Sequence, residues 1–254
     1  MSNAHYWVNK DDRAKEAQSH TEAMAKSYGI EIQSAIDRSV IFRQVNKTVG
    51  VGFPEFVVTD NDTVSEIFAQ DYRKAVALNF ASYKNPGGGF LQGSSAQEES
   101  LCMHSYLYNV LKEFPAFYEQ NNANLNRGMY TDAAIYTPGV LFFQGLSIKY
   151  CDVLTCASPN KSIANKYGNF TAEENSVALR KRIEFIRNII ELVDVDVAIL
   201  GAWGCGVFQQ DAREVATLFK EAFSQTTLSR VVFAVPFSEH SRENYKAFAD
   251  VFSK

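Results

Sequence analysis

Several protein classes are excluded by what this 254-residue sequence lacks. It has four cysteines (Cys102, Cys151, Cys156, Cys205), none in a CxxC pair, and no His/Cys cluster at zinc-finger spacing. The pattern reads as four reduced thiols in a cytoplasmic protein. There is no basic excess. The formal net charge of -4 argues against a surface that coats nucleic acid and leaves room for a local phosphate site. No apolar run approaches the ~18 residues that span a bilayer. The opening MSNAHYWVNKDDR has no apolar h-region, so no secretory signal is expected. Residues 1–4 read as an expression scar. Internal repeats and low-complexity linkers are absent too.

What is present is ordinary globular chemistry, 46% hydrophobic and 21% charged. A chain of this length buries a large core without disulfides or metals. One domain over residues 1–254 is expected. Asp11 to Ser39 is polar with apolar residues at loose helical spacing, so an N-terminal helical region is predicted over about residues 5–50. Short apolar segments then alternate with helical ones. Strands are predicted at Phe56–Thr59, Ala75–Phe80, Ala133–Phe143 (a strand or hairpin broken at Pro138-Gly139), Val153–Ala157, Val195–Gly201 and Val231–Val235. Helices are predicted at Thr63–Gln70, Gln97–Phe114, Thr171–Leu192, Asp211–Phe223 and His240–Phe252, with residues 115–129 irregular and 160–170 a loop. Strands alternating with helices give an α/β three-layer domain. Two glycine-rich loops each follow a buried strand, and open α/β sheets bind ligands beyond the carboxyl ends of their strands.

The first loop runs from Asn79 to Glu99. Three consecutive glycines, Gly87, Gly88 and Gly89, lose much entropy on folding, so such a run serves close approach or positive φ as readily as a surface turn. Ser95 and Glu98 have capping-box spacing, which gives Glu98 a local role as a helix-start residue. Glu99 stands one position beyond the box. Neighbouring helical residues point ~100° apart, so Glu98 and Glu99 are not expected to face each other as an ordinary glycosidase pair. Desolvation in a dry cleft raises a carboxyl pKa, which suits Glu99 to general-acid work while Glu98 positions a hydroxyl.

The spacing Gly87-Gly88-Gly89, seven residues, Gln97-Glu98-Glu99 resembles the signature of poly(ADP-ribose) glycohydrolases. NFASYKNPGGGFL, AQEESLC, Tyr136 to Val140, Ala157 to Asn160 and LGAWGCGVFQQD are similar, in the same order, to the bacterial-type branch of that family. The resemblance covers about Phe56 to Val235. It implies a macrodomain-like three-layer α/β/α fold with a mixed central sheet, here with an N-terminal helical extension. It also implies hydrolysis of the ribose–ribose O-glycosidic bond, with Glu99 protonating the leaving oxygen and Glu98 binding ribose. ADP-ribose and poly(ADP-ribose) on modified proteins would be its partners, with no membrane and no sequence-specific nucleic acid. No metal or cofactor is called for. Gln97, Gly87, Gly88, Gly89 and Asn79 fall in the binding loop. Many macrodomains carry N-A-A-N where this chain has Asn79-Phe80-Ala81-Ser82, so Ser82 stands in place of the ribose-binding asparagine, and Asn85 is a substitute for it.

The second loop, Gly201 to Phe208, lacks the GK[ST] of a Walker loop and the GxGxxG of a dinucleotide fingerprint. Gly201, Gly204, Cys205, Gly206 and Val207 can aim backbone N–H groups inward as an anion nest, with a following helix start adding positive character. A packing turn is the other reading. Phe208 covers the ligand or belongs to the core. Trp203 and Asp62 are candidates for touching adenine. Cys205 as a nucleophile would need a base among His5, His20, His104 and His240. A reader that binds ADP-ribose ends, or a hydrolase of mono-ADP-ribosyl linkages, shares most of these features.

Overall fold

Strand β3 (Ala75–Phe80) is buried along its length except for Phe80, as expected of a parallel strand covered on both faces. In the computed structural model, which describes residues 9–69, 74–167, 170–239 and 241–253, β3 lies mid-sheet. Residues 1–4, read above as an expression scar, and His5 and His240 lie outside the described residues. On one side β3 pairs in parallel with β5 (Ser147–Cys156). On the other it pairs with β6 (Val197–Leu200), and β7 (Arg230–Ala234) and β2 (Glu55–Thr59) continue in the same direction. Beyond β5, β4 (Ala134–Gln144) and the edge strand β1 (Val40–Phe42) run antiparallel to their neighbours. The order β1-β4-β5-β3-β6-β7-β2 is a mixed seven-stranded sheet.

Alternation along β3 builds two cores. Ala75 and Ala77 join one cluster, Val76 and Leu78 the other. The first cluster is covered by α1 (Lys10–Ser27), α2 (Gly29–Arg38), α3 (Thr63–Ala69), α4 (Gln97–Met103), α5 (Leu107–Leu111) and α6 (Pro115–Ala123). The second lies under α8 (Ala172–Ile190), α9 (Ala212–Ala222) and α10 (Arg242–Phe252), while α7 (Lys161–Tyr167) follows β5. This is the three-layer α/β/α arrangement expected. Among the described residues no helix is long and apolar enough to cross a membrane.

Four local expectations change. The helix predicted over Gln97–Phe114 is two helices, α4 and α5, because Ser105 leaves the helical path to bridge Phe142. Residues 115–129 are not wholly irregular: Pro115 opens α6 at the position where its missing N–H costs nothing. Residues 160–170, read as a loop, contain α7. Pro138-Gly139 does not break its strand. β4 runs through as a bulge, with Gly139 at φ 66° and its N–H donating to Asp152 Oδ1 at 2.7 Å.

The N-terminal region is also more integrated than an extension. β1 completes the sheet edge, and α1 packs on the 3-10 turn Phe90–Gln92 that follows the glycines. Arg13 Nε donates to Gly93 O at 2.7 Å, and Gly93, at φ 72°, lies so close to Lys10 O that no side chain fits there.

Candidate active site

A cavity of about 880 Å³ opens at the carboxyl ends of the parallel strands, within the usual range for small-molecule sites. Its wall crosses the sheet. Asp62 after β2, and Pro236 and Asn244 beyond β7, lie at one end. The loop Gly204–Phe208 after β6 is in the middle, and Ser82, Asn85, Glu98 and Glu99 beside β3 form the other end.

The first turn of α4 carries three residues with different jobs. Gln97 is a brace: its Oε1 accepts from Phe80 N at 2.8 Å, and its Nε2 donates to Leu78 O and Thr63 Oγ1. That ties α4 to β3 and α3, so its amide is engaged by protein partners. Glu98 is 3% exposed; Ser82 N donates to its Oε2 at 2.7 Å and Asn79 Nδ2 to its Oε1 at 3.1 Å. Glu99 is 8% exposed, and accepts from Gly89 N at 2.9 Å and Ala96 N at 3.0 Å. The helix-start carboxylate is therefore Glu99, not Glu98, because the helix begins one residue later than the Ser95 spacing implied. Ala96, in the N-cap position, has no side-chain oxygen, so only the glutamate half of the box exists.

Burial pushes the Glu98 carboxyl up to about 8, and the charge of Glu99 pushes the same way, against the Ser82 N–H and the Asn79 amide. Behind it, Asn79 Oδ1 is buried without a partner while Asn79 Nδ2 also reaches Thr155 Oγ1. Turning this amide over lets protonated Glu98 and the Thr155 hydroxyl both donate to Oδ1.

Gly88, at φ 61°, explains why the loop has no side chains there. A β-carbon on it would stand 2.7 Å from Glu99 Oε1 and 2.9 Å from Glu98 Oε2. The two carboxylates thus converge on one point, closer together than the helical angle between adjacent residues suggests. They do so from one helix and one side of the cleft. Gly89 is equally constrained, by Ser94 Oγ at 2.3 Å from its β-carbon position. Gly87 does not line the cavity; at φ 64° it lies against the Tyr108 ring. Asn85 lines the cavity in a turn capped by Ser82, its N–H donating to Ser82 Oγ at 3.2 Å.

In the second loop, the amides of Cys205, Gln209 and Gln210 turn back onto loop carbonyls. Those of Gly204, Gly206, Val207 and Phe208 take no acceptor among the described residues, and all four residues line the cavity. This is the donor arrangement of an anion nest. The helix-start contribution is not available as expected: Asp211 already caps α9, accepting from Glu214 N at 2.8 Å. The Glu214 carboxylate accepts from the Ser176 hydroxyl. Gly201 sits behind the cavity, where Ala234 O leaves no room for a side chain.

Trp203 is fully buried, donates from Nε1 to Cys156 O at 3.0 Å and packs near Phe219. Its indole is committed to the core although Trp203 also borders the cavity, and Asp62 stands at the cavity's far end. Phe208 is both lid and core: half-buried, it lines the cavity with its ring 6.1 Å from that of Tyr130. Cys205 lies outside the cavity lining, and burial pushes its thiol up to about 12. His20 and His104 are occupied by the carbonyls of Ser105 and Ser100. Among the described residues no histidine is hydrogen-bonded to Cys205, whose Sγ donates to Trp203 O.

Sequence reasoning missed Tyr130. It stacks on Tyr83 with centroids 4.1 Å apart, lines the cavity and holds φ 61°. Asn126 and Arg127 nearby also have positive φ, a strain that pattern reading does not detect.

The comparisons agree with this geometry. The chain matches the family described as microbial-type PARG, catalytic domain, over residues 3–145. No curated protein sequence matches it. Among solved structures, the poly(ADP-ribose) glycohydrolase of Thermomonospora curvata is 27% identical with a TM-score of 0.85, covering 95% of this chain and 100% of its own. The same enzyme bound to the inhibitor ADP-HPD gives 27% and 0.82, covering 94% and 99%. The Deinococcus radiodurans poly(ADP-ribose) glycohydrolase in complex with ADP-ribose gives 29% and 0.77, covering 87% and 96%. With the family matched across more than half its length, this chain belongs to the microbial-type poly(ADP-ribose) glycohydrolase catalytic domains and is a glycohydrolase.

Proposed function

We propose that this enzyme hydrolyses ribose–ribose O-glycosidic bonds of poly(ADP-ribose) and releases ADP-ribose, with Glu99 as general acid. The observation that carries the reading is the meeting of Glu98 Oε2 and Glu99 Oε1 over Gly88, in a cleft whose middle wall presents four open backbone amides. Diphosphate on those amides would put one ribose over the carboxylates and the adenosine toward Asp62. Relatives of this chain crystallised with ADP-ribose support that ligand.

In this mechanism the bond from the terminal ribose anomeric carbon to the leaving oxygen breaks, and the Glu99 proton goes to that oxygen. An oxocarbenium-like ribose is left, stabilised by the substrate's phosphate. Water adds to the anomeric carbon and gives its proton to the Glu99 carboxylate, which restores the acid. Glu98, nearly buried, orients ribose hydroxyls. General-acid help of this kind contributes on the order of 10²–10⁴-fold. A second reading gives the proton to Glu98, and the carboxyl pushed up to about 8 favours it.

The direct test incubates the enzyme with labelled poly(ADP-ribose) beside singly ADP-ribosylated protein. Release of ADP-ribose from polymer is expected. Release from the singly modified protein alone would move the proposal to the mono-ADP-ribosyl linkage.

A further inference from the structure

We propose that a second cavity, past the carboxylates, holds the nucleotide unit on the leaving side of the scissile bond. This rests on the function proposed above. The cavity has a volume of about 580 Å³ and shares Lys84, Tyr130 and Ile163 with the first. The sheet order sets its direction. The first cavity runs from β2 and β7 past β6 to β3, and β5 is the next strand in line. The second cavity lies over that strand's continuation, with α7 supplying Ser162, Ile163, Lys166 and Tyr167. A linear polymer with its terminal unit between Asp62 and Glu99 leaves the first cavity in this direction.

The lining chemistry suits a nucleoside diphosphate. In a chain of net charge -4, the second cavity gathers Lys84, Arg127 and Lys166. Arg127 lies 4.1 Å over the Phe170 ring and 3.6 Å from Glu174, a position held by its left-handed backbone at φ 55°. Tyr167 is 70% exposed, a large aromatic surface set next to cations. Lys166 Nζ stands 5.7 Å from the centre of that ring. An exposed ring beside positive charge is what a purine and its diphosphate require, since bases stack on aromatic faces regardless of sequence. The leaving ribose of the polymer carries both groups.

The test separates this proposal from the one beneath it. Glu99→Gln protein is titrated with ADP-ribose and with a defined three-unit oligomer, and again with Lys166→Glu or Tyr167→Ala added. The oligomer should bind on the order of tenfold more tightly than the monomer, the scale of one stacked base. Each added substitution should remove most of that advantage and leave the monomer Kd within about twofold, since both side chains are exposed and lie outside the first cavity. In the active enzyme, Lys166→Glu should raise KM for polymer and leave turnover of an ADP-ribosyl glycoside with a small aryl leaving group unchanged. An oligomer that binds no better than monomer, or an advantage that survives both substitutions, overturns the second site. Failure of monomer itself to bind would instead overturn the proposed function, and the second site with it.

Discussion

Glu98 and Glu99 are neighbours in one helical turn, yet their carboxylate oxygens Oε2 and Oε1 stand 2.9 Å and 2.7 Å from the same point, the β-carbon position missing from Gly88. The triple glycine therefore does more than loosen a turn. It vacates the volume where two acidic groups meet, while Gly89 N supplies one of the donors to Glu99.

Gly88→Ala tests that relationship. The methyl group collides with both carboxylates and sits at φ 61°, a backbone conformation that costs a side-chain-bearing residue about 1–2 kcal/mol. The expected outcome is a stability loss of that order in urea unfolding, with turnover reduced more than about tenfold because the displaced acids no longer converge. Normal turnover in a folded Gly88→Ala protein would show that the carboxylates need not meet there.

The buried Glu98 makes stability depend on pH. Between the ordinary carboxylate value of 4.5 and the folded value of about 8, the native state holds a proton that the unfolded chain has lost. Stability should therefore fall as pH rises through that window and level off above it, by roughly a few kcal/mol at most. Glu98→Gln, which cannot ionise, should flatten this slope in urea midpoints taken at pH 5, 6.5 and 8. A slope unchanged by the substitution would assign the linkage to other groups.

Trp203→Phe distinguishes core from adenine platform. Losing the indole N–H leaves the buried Cys156 carbonyl with only the longer 3.4 Å bond from Ala81 N, a cost of about 1 kcal/mol. ADP-ribose affinity should change by less than about twofold, the expectation for a side chain that only packs. A large loss of affinity in a protein of normal stability would return Trp203 to the ligand.

Cys205→Ser should leave turnover within about twofold of wild type, because a thiol pushed up to about 12 supplies almost no thiolate at neutral pH. Loss of activity in this variant would revive a cysteine mechanism.

Much of this was legible in the chain. The buried strands β3, β6 and β7 announce themselves by apolar runs, and the helix predicted from Thr171 starts there, with Thr171 and Glu174 each bonding the other's backbone. The two loops that line the cavity were picked out because glycine runs after strands carry a physical meaning. What was not legible depends on tertiary partners. A one-residue shift in the start of α4 moved the helix-start bond from Glu98 to Glu99, and local spacing does not encode which carboxylate meets Ser82 N. Tyr130 reaches the cavity through positive φ at a non-glycine residue, which only the surrounding contacts impose. α7 and α6 were hidden in polar sequence whose helical form depends on docking rather than on an apolar stripe.

The most direct test of the central claim compares kcat on labelled poly(ADP-ribose) for wild type, Glu99→Gln and Glu98→Gln, with ADP-ribose Kd measured for each. The account predicts that Glu99→Gln lowers kcat by on the order of 10²–10⁴-fold with Kd nearly unchanged, whereas Glu98→Gln acts more on binding than on kcat. Full activity in Glu99→Gln, with the loss of kcat transferred to Glu98→Gln, would contradict it and make Glu98 the acid.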